Sequence, residues 1–273
     1  MALLTIGELS QGLGDKAPTT DQQAGDMIAG VTNLIARLTN RTFAMRVSHA
    51  RTNGSGGSKL ELTVPGHRSA PGGKVSLRSD VSPSPLNGIF PVESTTRHQI
   101  VIDLGEASVT DAELNTQSLL VREVQREIQL CGRTGSIFVS SLPLAEVISV
   151  SYSDGAGNWL PIDEGRYEMA AGKGGLSFSG EIALRCRPFW SCGRPSLSEP
   201  ARVEYVAGEP YVLWDLVSAA QNVLVESQRQ GVKAGLQSER FDYYSYSRVG
   251  PDELRKLLGS AANAIEAMKL PVM

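Results

Sequence analysis

The chain is poor in soft metal ligands, in excess charge of either sign and in long apolar runs. It has three cysteines and three histidines in 273 residues. Cys131, Cys186 and Cys192 are odd in number, which excludes the paired framework of a small secreted disulfide scaffold. They point to a reducing compartment or to the inside of a virion. His49, His67 and His98 lie 18 and 31 residues apart. Zinc ligands come as close pairs, C-x₂₋₄-C or H-x₃₋₅-H. Cys186 and Cys192 have five residues between them and no second pair. The sequence therefore predicts no metal and no cofactor.

Lys and Arg total 26 against 29 Asp and Glu, a net charge of −3. A sequence-specific DNA binder shows a basic footprint, and this chain has none. The acidic excess sits in residues 143–209, with 6 basic and 9 acidic residues. No window holds 18 consecutive apolar residues, so no membrane span is expected. MALLTIGELSQ lacks a basic n-region before an apolar stretch and does not read as a signal peptide. Apolar residues at 41% and charged residues at 20% are near the globular average, which argues against wholesale disorder. The length allows one large domain or two small ones.

Catalytic signatures are equally scarce. A P-loop needs G-x-x-x-x-G-K-[ST] before a helix. Gly73–Lys74 is followed by Val75 and Gly172–Lys173 by Gly174. No G-x-S-x-G elbow occurs. Asp163–Glu164 falls in a turn and Asp252–Glu253 in a helix first turn, so both acid pairs have structural roles. His98 with a nearby Ser or Asp is the one route to a hydrolase. No local spacing supports it.

What the chain does have is pattern. Thr5 and Glu8 have capping-box spacing, predicting a helix over Thr5–Leu13. Ile28, Val31, Ile35 and Leu38 follow one helix face, predicting a second over about 21–40 with Asp21 as N-cap. Residues 44–141 alternate in short runs: Leu60–Val64, Val75–Leu77, Ile100–Leu104 and Ile137–Val139. Turn clusters separate them, reading as a small β unit. Leu119–Leu130 fits a helix or a strand, and its neighbours favour a strand. Residues 143–209 read as a β-meander: Val147–Tyr152, Tyr167–Met169, Leu176–Phe178, Glu181–Leu184 and Arg202–Val206. Leu213, Leu216, Val217, Ala220, Val223 and Leu224 make a third helix face. Pro251 opens a fourth, with Leu258, Ile265 and Met268 on its stripe.

Four phrases recur in a telling order. Leu38-Thr39-Asn40-Arg41-Thr42-Phe43 closes the second helix. Leu142–Val150 reads LPLAEVISV. Val203–Gly208 reads VEYVAG and leads into a helix. Ser238–Ser247 reads SERFDYYSYS. In that order and spacing the chain resembles the head–tail connector (adaptor) proteins of tailed double-stranded DNA phages. It departs from the family pattern at Asn40 and Asp242, where the family has glycine. The resemblance covers about 1–43 and 142–273.

The resemblance implies an α+β fold. Its helical connector core would have an N-terminal helix pair and two C-terminal helices, with a β-meander and an inserted small β-rich unit. The domains would be 1–43, an insertion at 44–141, and 142–273. It implies a non-enzymatic virion protein at the head–tail interface, in the host cytoplasm during assembly. Such a protein forms a ring with itself, a 12-mer, beneath the portal protein. It extends the channel through which DNA passes without sequence-specific binding, and it carries the next neck or tail-completion protein. By analogy Ile265, Met268, Lys269, Leu270, Pro271, Val272 and Met273 would grip the portal. Glu239, Arg240, Phe241, Tyr243, Tyr244 and Tyr246 would face a subunit or partner. The alternatives are another neck or tail-completion ring protein, a hydrolase, or a binding module built on 44–141.

Overall fold

The computed structural model describes residues 3–53, 58–131, 135–171, 175–184, 200–209, 211–229, 258 and 261–269. The chain divides into two compact units. Unit one is 1–123 with 210–271, and unit two is 124–209 with 272–273.

Unit one opens with α1 (Ile6–Leu13). Its capping box forms as predicted: Glu8 N–H donates to Thr5 Oγ1 and Thr5 N–H to the Glu8 carboxylate. Each side chain thereby satisfies an orphan donor of the first turn. Helix α2 spans Asp21–Thr39. Thr20, not Asp21, is its N-cap, accepting from Gln23 N–H at 3.2 Å. Asp21 sits in the first turn, where its charge suits the helix dipole. Asn40 ends the helix in the left-handed conformation, φ 53 and ψ 41, the backbone a glycine would take there.

The strands follow: β1 (Met45–Arg46), β2 (His49–Asn53), β3 (Lys59–Thr63), β4 (Lys74–Ser79), β5 (Gly88–Thr95) and β6 (Gln99–Asp103). The short α3 (Asp111–Leu114) precedes β7 (Leu119–Leu130). The 119–130 segment is thus a strand. Its first half pairs with β4 on one edge and β1 on the other. Strand alternation puts Leu60, Leu62, Val75, Ile100, Ile102 and Val121 fully inside. Burying each such side chain is worth about 1.5–3 kcal/mol. Among the described residues unit one also holds helices α4 (Trp214–Arg229) and α5 (Ala261–Ala267). Leu216, Val217, Ala220, Val223 and Leu224 are buried, as the stripe predicts.

Unit two holds the second half of β7 with β8 (Ser136–Phe138), β9 (Leu144–Ser153), β10 (Trp159–Ile162), β11 (Tyr167–Met169), β12 (Glu181–Leu184) and β13 (Pro200–Ala207). One sheet runs β10-β9-β13-β7 and a second runs β11-β12-β8, all antiparallel. They share a core of Ile137, Leu144, Val150, Ile162, Ile182, Val203 and Tyr205. Leu176–Phe178, expected as a strand, contributes one bridge, Ser177 to Leu144.

The expected helical connector core with an inserted small β-rich unit is overturned. Ten antiparallel strands run in the order β10-β9-β13-β7-β4-β5-β6-β3-β2, with β1 also on β7. Helices are the minority. The physical reason lies in the core of unit one. The apolar faces of α1, α2, α4 and α5 are buried with the inner faces of β3, β4, β5 and β6 in one cluster. Amphipathic helices need such a partner. Residues 44–123, the larger part of the 44–141 segment read from sequence as an insertion, supply it.

Candidate functional site

Most of the residues singled out by the resemblance lie outside the described residues. These are Glu239, Arg240, Phe241, Tyr243, Tyr244, Tyr246 and Leu270, Pro271, Val272 and Met273. Ile265 and Met268 are described and pack into the core of unit one, Ile265 with 3% exposure. Lys269 is exposed and lies 3.9 Å from Glu266. Arg41 Nε donates to the Met268 carbonyl at 2.6 Å. The phrase that closes α2 therefore holds the end of α5.

Unit one contains an open cleft of about 620 Å³. Segments far apart in sequence line it: 46–50, 78–80, 114–120 and 211–214. Its geometry begins at Glu8. The carboxylate that completes the α1 capping box also accepts from Arg46 Nη1 at 2.5–2.6 Å. The Arg46 guanidinium in turn lies 5.0 Å from the centre of the Trp214 ring. A cation over an indole face is favourable. One arginine so ties the start of α1 to the start of α4. Burial alone would raise the Glu8 pKa. The Arg46 and Thr5 hydrogen bonds outweigh it and hold the carboxyl below its ordinary value.

The cleft floor is a cross-strand row. Arg46 and Arg78 both pair with Leu120, from opposite edges of β7. Arg78 is exposed and makes no ion pair among the described residues. Trp214 and Tyr211 line the wall at 60% and 53% exposure. Such large apolar rings gathered in one concavity are unusual for a free surface. Asp80 lies two residues beyond Arg78, and its carboxylate accepts from Ser118 N–H at 2.8 Å.

A second polar cluster in unit one joins Asp26, Arg97 and His98. His98 Nε2 is 3.0 Å from Asp26 Oδ1, and Arg97 Nε is 2.9 Å from the same oxygen. His98 Nδ1 is buried with no hydrogen-bond partner among the described residues, as is His67 Nδ1. Burial lowers the pKa of His98, and Asp26 offsets part of that. An imidazole with one nitrogen held by Asp26 and the other sealed offers no open base for an entering substrate. Among the described residues no group of three or more His, Cys, Asp or Glu could hold a metal ion.

In unit two a part-buried network gathers around Glu127. The Tyr205 hydroxyl donates to Glu127 and accepts from Ser141 N–H at 3.2 Å. Ser140 and Gln129 also donate to Glu127. Burial pushes the Tyr205 phenol well above its ordinary range, and the Glu127 bond adds to it. For Glu127 burial pulls the pKa up, but the Ser140, Tyr205 and Gln129 bonds bring it below its ordinary value. The network locks a strand pair rather than exposing a reactive group.

No protein-family model, curated protein or solved structure matches this chain.

Sequence reasoning missed the cleft altogether. Its parts come from segments that no short motif joins. The available signal was weak: two arginines and a pair of aromatics at starts and ends of elements.

Proposed function

We propose that this chain is a structural subunit of the neck of a tailed double-stranded DNA phage. It forms a closed ring of twelve copies beneath the portal protein. The ring extends the channel for DNA and offers a platform to the next neck or tail-completion protein. It works in the virion, assembles from the host cytoplasm and performs no catalysis. A ring protomer makes heterologous contacts that close by rotation.

One observation carries this reading. Two of the phrases that resemble the adaptor family are hydrogen-bonded neighbours. β9, with LPLAEVISV, and β13, with VEYVAG, run antiparallel from Ala201–Tyr152 to Ala207–Leu144. Gly208, at φ 100, closes the pair by donating to the Pro143 carbonyl at 2.8 Å. A glycine at that positive φ meets a backbone need. Asn40 adds support, because it adopts the left-handed turn where the family carries glycine. A sealed His98 weighs against the hydrolase alternative.

Sedimentation of the purified chain with DNA-filled capsids tests the reading. The chain should pellet with capsids that carry a portal and stay in solution with portal-free capsids. Equal behaviour with both would overturn the proposal.

A further inference from the structure

We infer that His67 and His98 form an acid-operated clasp in unit one, which holds the β5–β6 turn to α2 and to the segment after β3 at neutral pH and lets go when protons reach their Nδ1 atoms. The inference stands apart from the neck reading.

The first argument is where the two rings sit. Just after β3, Val64 N–H donates to the His98 carbonyl at 2.7 Å. Three residues on, His67 Nε2 lies 2.7 Å from the Thr96 carbonyl oxygen. From the same 96–98 turn, His98 Nε2 and Arg97 Nε both reach Asp26 Oδ1 on α2, at 3.0 and 2.9 Å. Helix α2 passes so close that a Cβ at Gly25 would lie 2.9 Å from the His98 ring. The two imidazoles thus fasten α2, the 64–67 segment and the 96–98 turn, which are distant in sequence.

The second argument is the proton count. Carbonyl and carboxylate oxygens only accept here, so each Nε2 carries the hydrogen and each neutral ring leaves Nδ1 as a bare acceptor. Both Nδ1 atoms are buried, and neither has a hydrogen-bond partner among the described residues. A proton added there creates a charge and an N–H donor in a place that offers no acceptor. The surrounding charges do not reverse this. Asp26 attracts a His98 cation, but Arg97 shares the same oxygen. Glu123 attracts a His67 cation, but it already accepts from Arg68 N–H and Ser69 Oγ. His98 repels a charged His67, and the chain's α-amino group repels both. Burial is the largest effect on each ring, and it keeps both pKa values below the ordinary 6.5.

The third argument fixes the direction. In the open clasp the rings titrate at the ordinary value, and in the closed clasp below it. The open state therefore binds more protons wherever the pH lies between the two values. The clasp is at full strength above the ordinary value of 6.5, weakens as the pH falls through it, and stops weakening below the closed-state values. Within that window each ring costs the closed state up to about tenfold in population per pH unit, and the two together up to about a hundredfold.

The test uses the full chain and nuclear magnetic resonance. Long-range proton–nitrogen spectra at neutral pH should show both rings as the Nε2–H tautomer, and both should titrate below the ordinary histidine value. Amide hydrogen exchange, corrected for the intrinsic pH dependence of exchange, reads the clasp itself. Protection in 24–30, 64–68 and 96–100 should fall at least about thirtyfold between about pH 7.5 and about pH 5. Protection in β9 and β13 of unit two should not fall with it. Glutamine carries an amide N–H that replaces the Nε2–H donor and does not titrate. The double variant His67→Gln, His98→Gln should therefore keep its protection as the pH falls. Rings that titrate at or above the ordinary value would overturn the inference, as would protection that holds at low pH or an equal loss in unit two. These three are read on the unaltered chain and decide the matter even where the variant does not fold. The same acid loss in a folded double variant would overturn it too.

Discussion

Gly25→Ala has an expected sign opposite to the usual one, which makes it a sharp test of the packing in unit one. An alanine inside a helix ordinarily gains about 1 kcal/mol over glycine. At Gly25 the added Cβ would sit 2.9 Å from both Cδ2 and Nε2 of His98. Real Cβ contacts are not that short, so the imidazole must move. It is not free to do so cheaply: His98 Nε2 is held by Asp26 at 3.0 Å and the side chain is only 12% exposed. Overpacking costs about 1–3 kcal/mol. Losing a hydrogen bond to an ionised carboxylate costs about 1.5–3 kcal/mol. The helix gain offsets only part of this, leaving a net loss of about 1.5–5 kcal/mol. Urea unfolding followed by circular dichroism would read it as a lower midpoint at unchanged slope. The double mutant completes the cycle. In a His98→Ala background the ring is gone, and Gly25→Ala should stabilise by about 1 kcal/mol. A raised midpoint in the wild-type background, or the same effect in both backgrounds, would refute the reasoning.

Three other outcomes follow from the geometry. Glu8 is held below its ordinary value of 4.5 in the fold. Its stabilisation is therefore complete above that value and fades as pH falls through the lower folded one. Glu8→Gln should flatten the acid limb of a urea-midpoint profile, and an unchanged limb would remove Glu8 from the account. Asn40→Gly should leave stability unchanged or slightly higher, whereas Asn40→Ala should cost about 1 kcal/mol because of the left-handed backbone; thermal melts of the two variants decide this. Tyr205→Phe removes one donor to Glu127 and the acceptor for Ser141 N–H. It should cost about 1–3 kcal/mol in unit two and raise the Glu127 pKa seen by NMR titration.

Helices α1, α2 and α4 were legible because their signals are local. The Thr5–Glu8 box, the 28-31-35-38 stripe and the α4 stripe each need only neighbouring residues to be read. Strands with clean alternation, such as Leu60–Val64 and Ile100–Leu104, were legible for the same reason. Two strands were missed through their prolines. Pro161 lies in β10, at the sheet edge, where a missing donor costs little. Pro91 lies within β5, beside a register shift between Val92 and Ser94. The fold class failed on a non-local fact. Nothing within residues 44–123 tells that their apolar faces belong against helices at both ends of the chain. The cleft was illegible for the same reason, since Arg46, Arg78 and Trp214 meet only through strand register and helix packing. His98 was visible as a lone histidine, but its sealing by Asp26 and Gly25 depended on which face of α2 meets the 96–99 turn.

Electron cryomicroscopy of portal-bearing, DNA-filled capsids mixed with the purified chain tests the central claim most directly. The account predicts a closed ring of this protein on the tail-side face of the portal, with twelvefold symmetry and an open central channel. A bare portal, with the protein left in solution as a monomer, would contradict it.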